Sequence, residues 1–208
     1  TLIIGYENGN VDLVKNKQVI NIPFIKNSAN IIGSKTINNI HVSNGVAFLS
    51  CSFGLVKLNI DQSEILDTYY FWNNGGYGEV IDCYVFNEIQ DNDFLSNKIF
   101  VATNFGLFSS NINDPNLIDP ISWNQEYLIE NVINQQINTA FENGIKKILG
   151  SNENLVLFPN EYNSLGGENG SCEILIYSKE KSRFISKNVP EICNQNEDII
   201  SGHIVNNE

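Results

Sequence analysis

Apolar-rich runs bounded by turn signals at 2–6, 11–15 and 18–22 predict three strands, the last ending at Pro23. After a polar connection at 24–35, alternation over 36–42 is followed by a nearly continuous apolar run at 46–51. An alternating run follows at 55–60, and 65–71 reads as an outer, aromatic-rich strand. A continuous apolar strand suits a position covered on both faces, and an alternating one suits a half-exposed position. The order repeats at 80–86, 99–103, 107–112 and 122–128, and less regularly at 145–150, 155–159, 172–178 and 184–188, with a last strand opening at 198–205. Only 130–142 carries a helical pattern, with Val132, Ile133, Gln136, Ile137 and Ala140 on one face.

One phrase recurs in this series: strand, tight turn at Gly, strand. It is read at residues 2–14 around Gly9, at 46–58 around Gly54 and at 98–108 around Gly106, with glycine spacings of 45 and 52 residues. A self-similar all-β unit of roughly 40–50 residues predicts a β-propeller of four-stranded antiparallel blades. The blades are expected as a remnant at 1–23, then 36–71, 80–128 and 145–188, with the start of another at 198–208. That is about three and a half to four blades of one partial domain spanning 1–208. The innermost strand of the first blade is expected upstream of Thr1. Residues 1–208 alone would then leave apolar blade faces in water, and are expected to aggregate or stay partly unfolded.

In a four-stranded blade, alternate connections fall on opposite faces. The Gly54 turn, the loop 73–78, the Gly106 turn and the Gly167/Gly170 loop are therefore expected on one face. This loop face around the central channel is the default binding surface of such a ring.

Composition narrows the function. Twelve Lys and Arg against 24 Asp and Glu give a net charge of −12, so no basic stripe exists for nucleic acid. No apolar run approaches the ~20 residues of a transmembrane helix. Cys51, Cys83, Cys172 and Cys193 are far apart and contain no Cys-x-x-Cys pair. They read as small buried hydrophobes, while a disulfide such as Cys172–Cys193 stays open because spacing cannot give connectivity.

The candidate chemistry is sparse. The Gly-rich loop 73–78 lacks the Gly-Lys-Ser/Thr and following helix of a phosphate loop, and reads as a flexible connection. Asp91-Asn92-Asp93 starts like a calcium loop, yet Ser96 and Ala102 stand where Gly and Glu are needed; a different calcium site on the acidic 87–97 loop stays open. His41 and His203 have no partner at ligand spacing and read as structural. Trp72 and Trp123 are expected to pack between blades. No nucleophile elbow occurs. Neither a catalytic set, a metal site nor a cofactor is expected, and no binding residue is singled out.

Longer phrases carry a family resemblance. Ile3-Ile4-Gly5-Tyr6-Glu7-Asn8-Gly9-Asn10-Val11-Asp12-Leu13, Asn30-Ile31-Ile32-Gly33-Ser34-Lys35-Thr36-Ile37-Asn38, Phe53-Gly54-Leu55-Val56-Lys57-Leu58 and Glu64-Ile65-Leu66-Asp67-Thr68-Tyr69-Tyr70 closely resemble the N-terminal propeller of the PorZ family. Ala102-Thr103-Asn104-Phe105-Gly106-Leu107-Phe108 and Asp198-Ile199-Ile200-Ser201-Gly202 resemble it too. The resemblance is strongest over 2–107. It implies a seven-bladed ring, a second propeller and a C-terminal sorting domain in a non-enzymatic surface component of the type IX secretion system of Bacteroidetes. The implied partners are the sortase PorU and the outer-membrane proteins PorV and PorQ, with anionic lipopolysaccharide presented for cargo attachment. The alternative is a periplasmic carbohydrate-sensing propeller of a hybrid two-component regulator, which shares the Ala-Thr-x-x-Gly-Leu phrase.

Overall fold

The computed structural model describes residues 1–73, 76–87, 95–126, 144–151, 154–159, 173–178 and 183–188. Strands dominate, and they form consecutive antiparallel meanders. Blade one is a three-stranded sheet of β1 (Leu2–Gly5), β2 (Val11–Lys15) and β3 (Gln18–Ile22). Blade two contains β4 (Ile37–Ser43), β5 (Val46–Cys51), β6 (Gly54–Asn59) and β7 (Glu64–Tyr69). A two-stranded pair, β8 (Trp72–Asn73) and β9 (Gly76–Tyr77), leads to blade three: β10 (Val80–Val85), β11 (Lys98–Thr103), β12 (Gly106–Asn111) and β13 (Asn124–Glu126). Blade four contains β14 (Ile145–Gly150), β15 (Leu155–Pro159), β16 (Glu173–Ser178) and β17 (Arg183–Asn188). The inner strands β4, β10 and β14 lie side by side. This is a β-propeller of antiparallel blades, as the repeat predicts.

The core sits between blades. Val11 and Leu13 of blade one meet Ala47, Leu49, Cys51, Val56 and Leu58 of blade two. The opposite face of blade two sends Phe48, Leu55 and Tyr69 against Val80, Cys83, Ile99 and Val101 of blade three. Phe100, Ala102 and Leu107 in turn meet Ile148, Leu157, Leu175 and Phe184 of blade four. Strand β5 is apolar except for Ser50 because its alternate residues serve two different cores. Each such side chain contributes about 1.5–3 kcal/mol of burial.

Four local expectations change. The three glycine turns are not equivalent. Gly54 and Gly106 open β6 and β12, each paired with the last residue of the preceding strand, at φ 153° and 151°. Gly9 lies at φ 79° inside a longer turn over residues 6–10, closed by Gly9 N–H to Tyr6 O at 3.0 Å and Tyr6 N–H to Asn10 O at 3.0 Å. The connection after Pro23 contains one helical turn, α1 (Phe24–Asn27), anchored by buried Ile25. Residues 73 and 76–77 of the loop expected to be flexible belong to the small β8–β9 pair. Ser122 belongs to a 3-10 turn (Pro120–Ser122) rather than to the outer strand, because Pro120 presets the backbone and Asp119 accepts from Ile121 N–H at 3.0 Å. The helical pattern at 130–142, the 163–171 loop, Asp91–Asp93, His203, Cys172, Cys193 and the strand expected at 198–205 lie outside the described residues.

Candidate functional site

Of the expected loop face, the Gly54 turn, the Gly106 turn and residues 76–78 are described, and the Gly167/Gly170 loop is not. The Phe105-Gly106 turn meets the connection into β10. Asn104 N–H donates to Glu79 O at 3.2 Å, and a Cβ on Gly78 would stand 2.3 Å from the Phe105 ring. The Gly54 turn rests on the end of β7, where a Cβ would lie 2.4 Å from Tyr69 O. Ser52 joins the same surface, donating from N–H to Thr36 O at 3.0 Å and from its hydroxyl to Ser34 O at 2.7 Å.

The inner strands carry a polar line that crosses three blades. Each of β4, β10 and β14 has a register shift near its start, between Ile37 and Asn39, Val80 and Asp82, and Ile145 and Lys147. The extra residue of a β-bulge re-aims the side chain that follows it. Asn39, Asp82 and Lys147 therefore occupy the same place in successive blades, and they meet. Asp82 is 1% exposed. Its Oδ1 accepts from the Asn39 amide and from Cys83 N–H at 2.8 Å. Its Oδ2 accepts from Ile148 N–H at 2.9 Å and lies 3.1 Å from the Lys147 ammonium. Every lone-pair direction of the carboxylate is engaged, as burial of a charge requires. Asn38 adds a second tie, donating to Val80 O at 2.8 Å and Glu79 Oε1 at 3.1 Å.

His41 stands further along β4. Its Nε2 accepts from Val85 N–H at 3.2 Å, and its ring packs 4.7 Å from Tyr84. Burial lowers its pKa, opposed by the nearby Asp82 charge. The bond to Val85 needs a neutral Nε2, so this histidine joins blades two and three. At the far end of these strands, Ser43 Oγ and Asn44 Nδ2 both donate to Asn87 Oδ1, at 2.7 and 2.9 Å.

Cys51, Cys83 and Trp123 are packed into the fold, while the Trp72 side chain lies outside the described residues. Cys51 and Cys83 are free and buried; burial pushes the Cys51 thiol up to about 12 and also raises Cys83. Trp123 lies between blades two and three, 4.9 Å from Phe71 and 5.7 Å from Tyr69, with its indole N–H donating to Leu117 O at 2.9 Å. Among the described residues, no group of three His, Cys, Asp or Glu side chains is placed to hold a metal ion. No described helix is long and apolar enough to cross a membrane. The arrangement ties neighbouring blades together along their inner strands.

Sequence reasoning missed Asp82, Asn39 and Lys147. A usable signal was present: Val80-Ile81-Asp82-Cys83-Tyr84-Val85 holds one charge in an otherwise apolar inner strand. Such a charge needs a partner from a neighbouring element.

Comparison with known proteins agrees with this architecture. PorZ, an essential bacterial surface component of the type IX secretion system of Porphyromonas gingivalis, superposes with a TM-score of 0.63 at 18% identity, over 88% of this chain and 20% of that one. The chain thus spans about a fifth of the length of that PorZ structure. The computationally designed Ika8 protein superposes at 0.50 with 11% identity, over 90% of this chain and 45% of that one. The extracellular domain of a one-component system from B. thetaiotaomicron gives 0.44 at 9% identity, over 88% and 21%. A search of curated proteins finds no match. The family profile of the type IX secretion system PorZ N-terminal β-propeller domain matches residues 1–124, more than half of the 208. The chain therefore belongs to the family of PorZ N-terminal β-propeller domains.

Proposed function

We propose that this chain is a non-enzymatic interaction module of a type IX secretion attachment complex at the cell surface, reached by export through the periplasm. In this reading it works with the PorU sortase and with PorV and PorQ, and the whole protein helps present anionic lipopolysaccharide for cargo anchoring. Family membership over residues 1–124 is the observation that carries it. The inner-strand geometry supports the non-catalytic part, because Asp82 and His41 are both committed to joining blades. A net charge of −12 opposes direct capture of an anionic glycan and favours protein contacts by this domain.

The test is deletion of the full-length gene. Cargo should be released into the medium instead of attached to the surface, and re-expression should restore attachment. Normal anchoring in the deletion strain overturns the reading.

A further inference from the structure

A groove of about 660 Å³ runs along the outer edge of the first two blades, between β3, α1 and the residues after it, and Ser63 of the β6–β7 hairpin. Its volume lies in the ordinary range for small-molecule sites. No lining residue carries a charge, in a chain whose net charge is −12. One part of the lining is apolar: buried Ile22, and Phe24, which is 57% exposed. The rest includes the side chains of Asn27, Ser28 and Asn30.

Those three side chains differ from most polar side chains around them. In the same lining, Asn21 Nδ2 donates to Asn10 Oδ1 and Asp12 Oδ1, and Ser63 Oγ accepts from the Lys15 ammonium at 3.4 Å. Among the described residues, no hydrogen bond is made by the side chains of Asn27, Ser28 or Asn30. Two of the cations near the groove, Lys35 and Lys15, are in contrast engaged. The Lys35 ammonium donates to Lys26 O at 2.9 Å and to Ser28 O at 2.7 Å. The Lys15 ammonium donates to Ile60 O and to Asp61 O. Neither is left to attract an anion.

We infer that this groove binds an uncharged saccharide. A carboxamide donates and accepts at once, which matches the paired donor and acceptor character of vicinal hydroxyls. An exposed aromatic ring beside an apolar floor matches the C–H face of a pyranose. The missing charge removes any preference for an ionic ligand and any penalty for stripping water from a buried ion. The inference stands independently of the reading above: the groove needs no sortase, and the deletion phenotype needs no groove.

The experiment uses the full-length protein and saturation-transfer NMR. The probes are mannotriose, chitotriose and maltotriose as uncharged sugars, and trigalacturonate as the anionic control. At least one uncharged trisaccharide should bind with a Kd of about 1 mM. Phe24→Ala, and separately Asn27→Ala with Asn30→Ala, should weaken it by about tenfold or more. Phe24→Tyr should retain it and so separates loss of the ring from loss of the fold. Ile121→Ser, outside the groove, should leave it unchanged. Failure of all three uncharged sugars to bind, binding of trigalacturonate alone, or binding that survives Phe24→Ala overturns the proposal.

Discussion

The carboxylate of Asp82 and the ammonium of Lys147 lie 3.1 Å apart on the inner strands of neighbouring blades, with side-chain exposures of 2% and 21%. They are unequal partners. Asp82 also holds the Asn39 amide and two backbone N–H groups, whereas the Lys147 ammonium reaches towards water.

Asp82→Ala is therefore expected to be costly. It strands two buried N–H groups and an ammonium, for a loss of about 3–5 kcal/mol. Lys147→Met leaves Asp82 with three donors and should cost about 1–2 kcal/mol. Denaturant unfolding of both variants gives the comparison. A Lys147→Met loss equal to or above that of Asp82→Ala would show that the ion pair, rather than the carboxylate's hydrogen bonds, holds the blades.

Gly54 and Gly45 separate two reasons for a glycine. Both have positive φ, 153° and 76°. A Cβ at Gly45 meets nothing within 4 Å, whereas one at Gly54 meets Tyr69 O at 2.4 Å. Gly45→Ala should cost about 1 kcal/mol from backbone strain alone. Gly54→Ala should cost about 2–4 kcal/mol, because the turn must also move off β7. Equal shifts in melting temperature would contradict the steric part of this account.

His41 is expected to give the fold an acid sensitivity. Its folded pKa is depressed below its ordinary 6.5 by burial, so the unfolded chain binds the proton more readily. The histidine's contribution is complete above pH 6.5 and is lost as pH falls through the folded pKa. The nearby Asp82 charge limits the depression, and the Tyr84 ring and Val85 N–H also face the imidazole. Unfolding free energy followed downward from pH 7 should decline less steeply in His41→Gln. Parallel curves would remove His41 as the source.

The thiols of Cys51 and Cys83 should resist alkylation in the folded protein. Both are buried, and their raised pKa values leave little thiolate at neutral pH. Iodoacetamide labelling followed by peptide mass spectrometry should find both unmodified until denaturant is added. Labelling of either under native conditions would indicate an opening of the inter-blade core.

Much of the fold was legible because strand pattern and burial are coupled locally. The run at 46–51 reads as a doubly covered strand, and Ala47, Leu49 and Cys51 do face blade one while Phe48 faces blade three. The repeated Phe-Gly-Leu marks two equivalent turns. The same reasoning failed at Gly9, since a glycine in a five-residue turn looks the same in sequence as one that opens a strand. It also missed α1, a single turn too short for any period to show. The Asp82 knot was hidden for another reason: Lys147 is 65 residues away, and their meeting depends on bulges that no alternation reveals.

The three bulges have a further consequence for assembly. A repeat architecture built from similar units faces a problem of order, since any blade could stack on any other. Here one structural position is an amide in blade two, an acid in blade three and a base in blade four. Each neighbour is complementary to the next, and no two are interchangeable. A chain that skipped blade three during folding would bring Asn39 against Lys147, leaving the ammonium without its anion. The inner strands thus favour the succession of blades two, three and four over one that leaves the Lys147 ammonium without its anion.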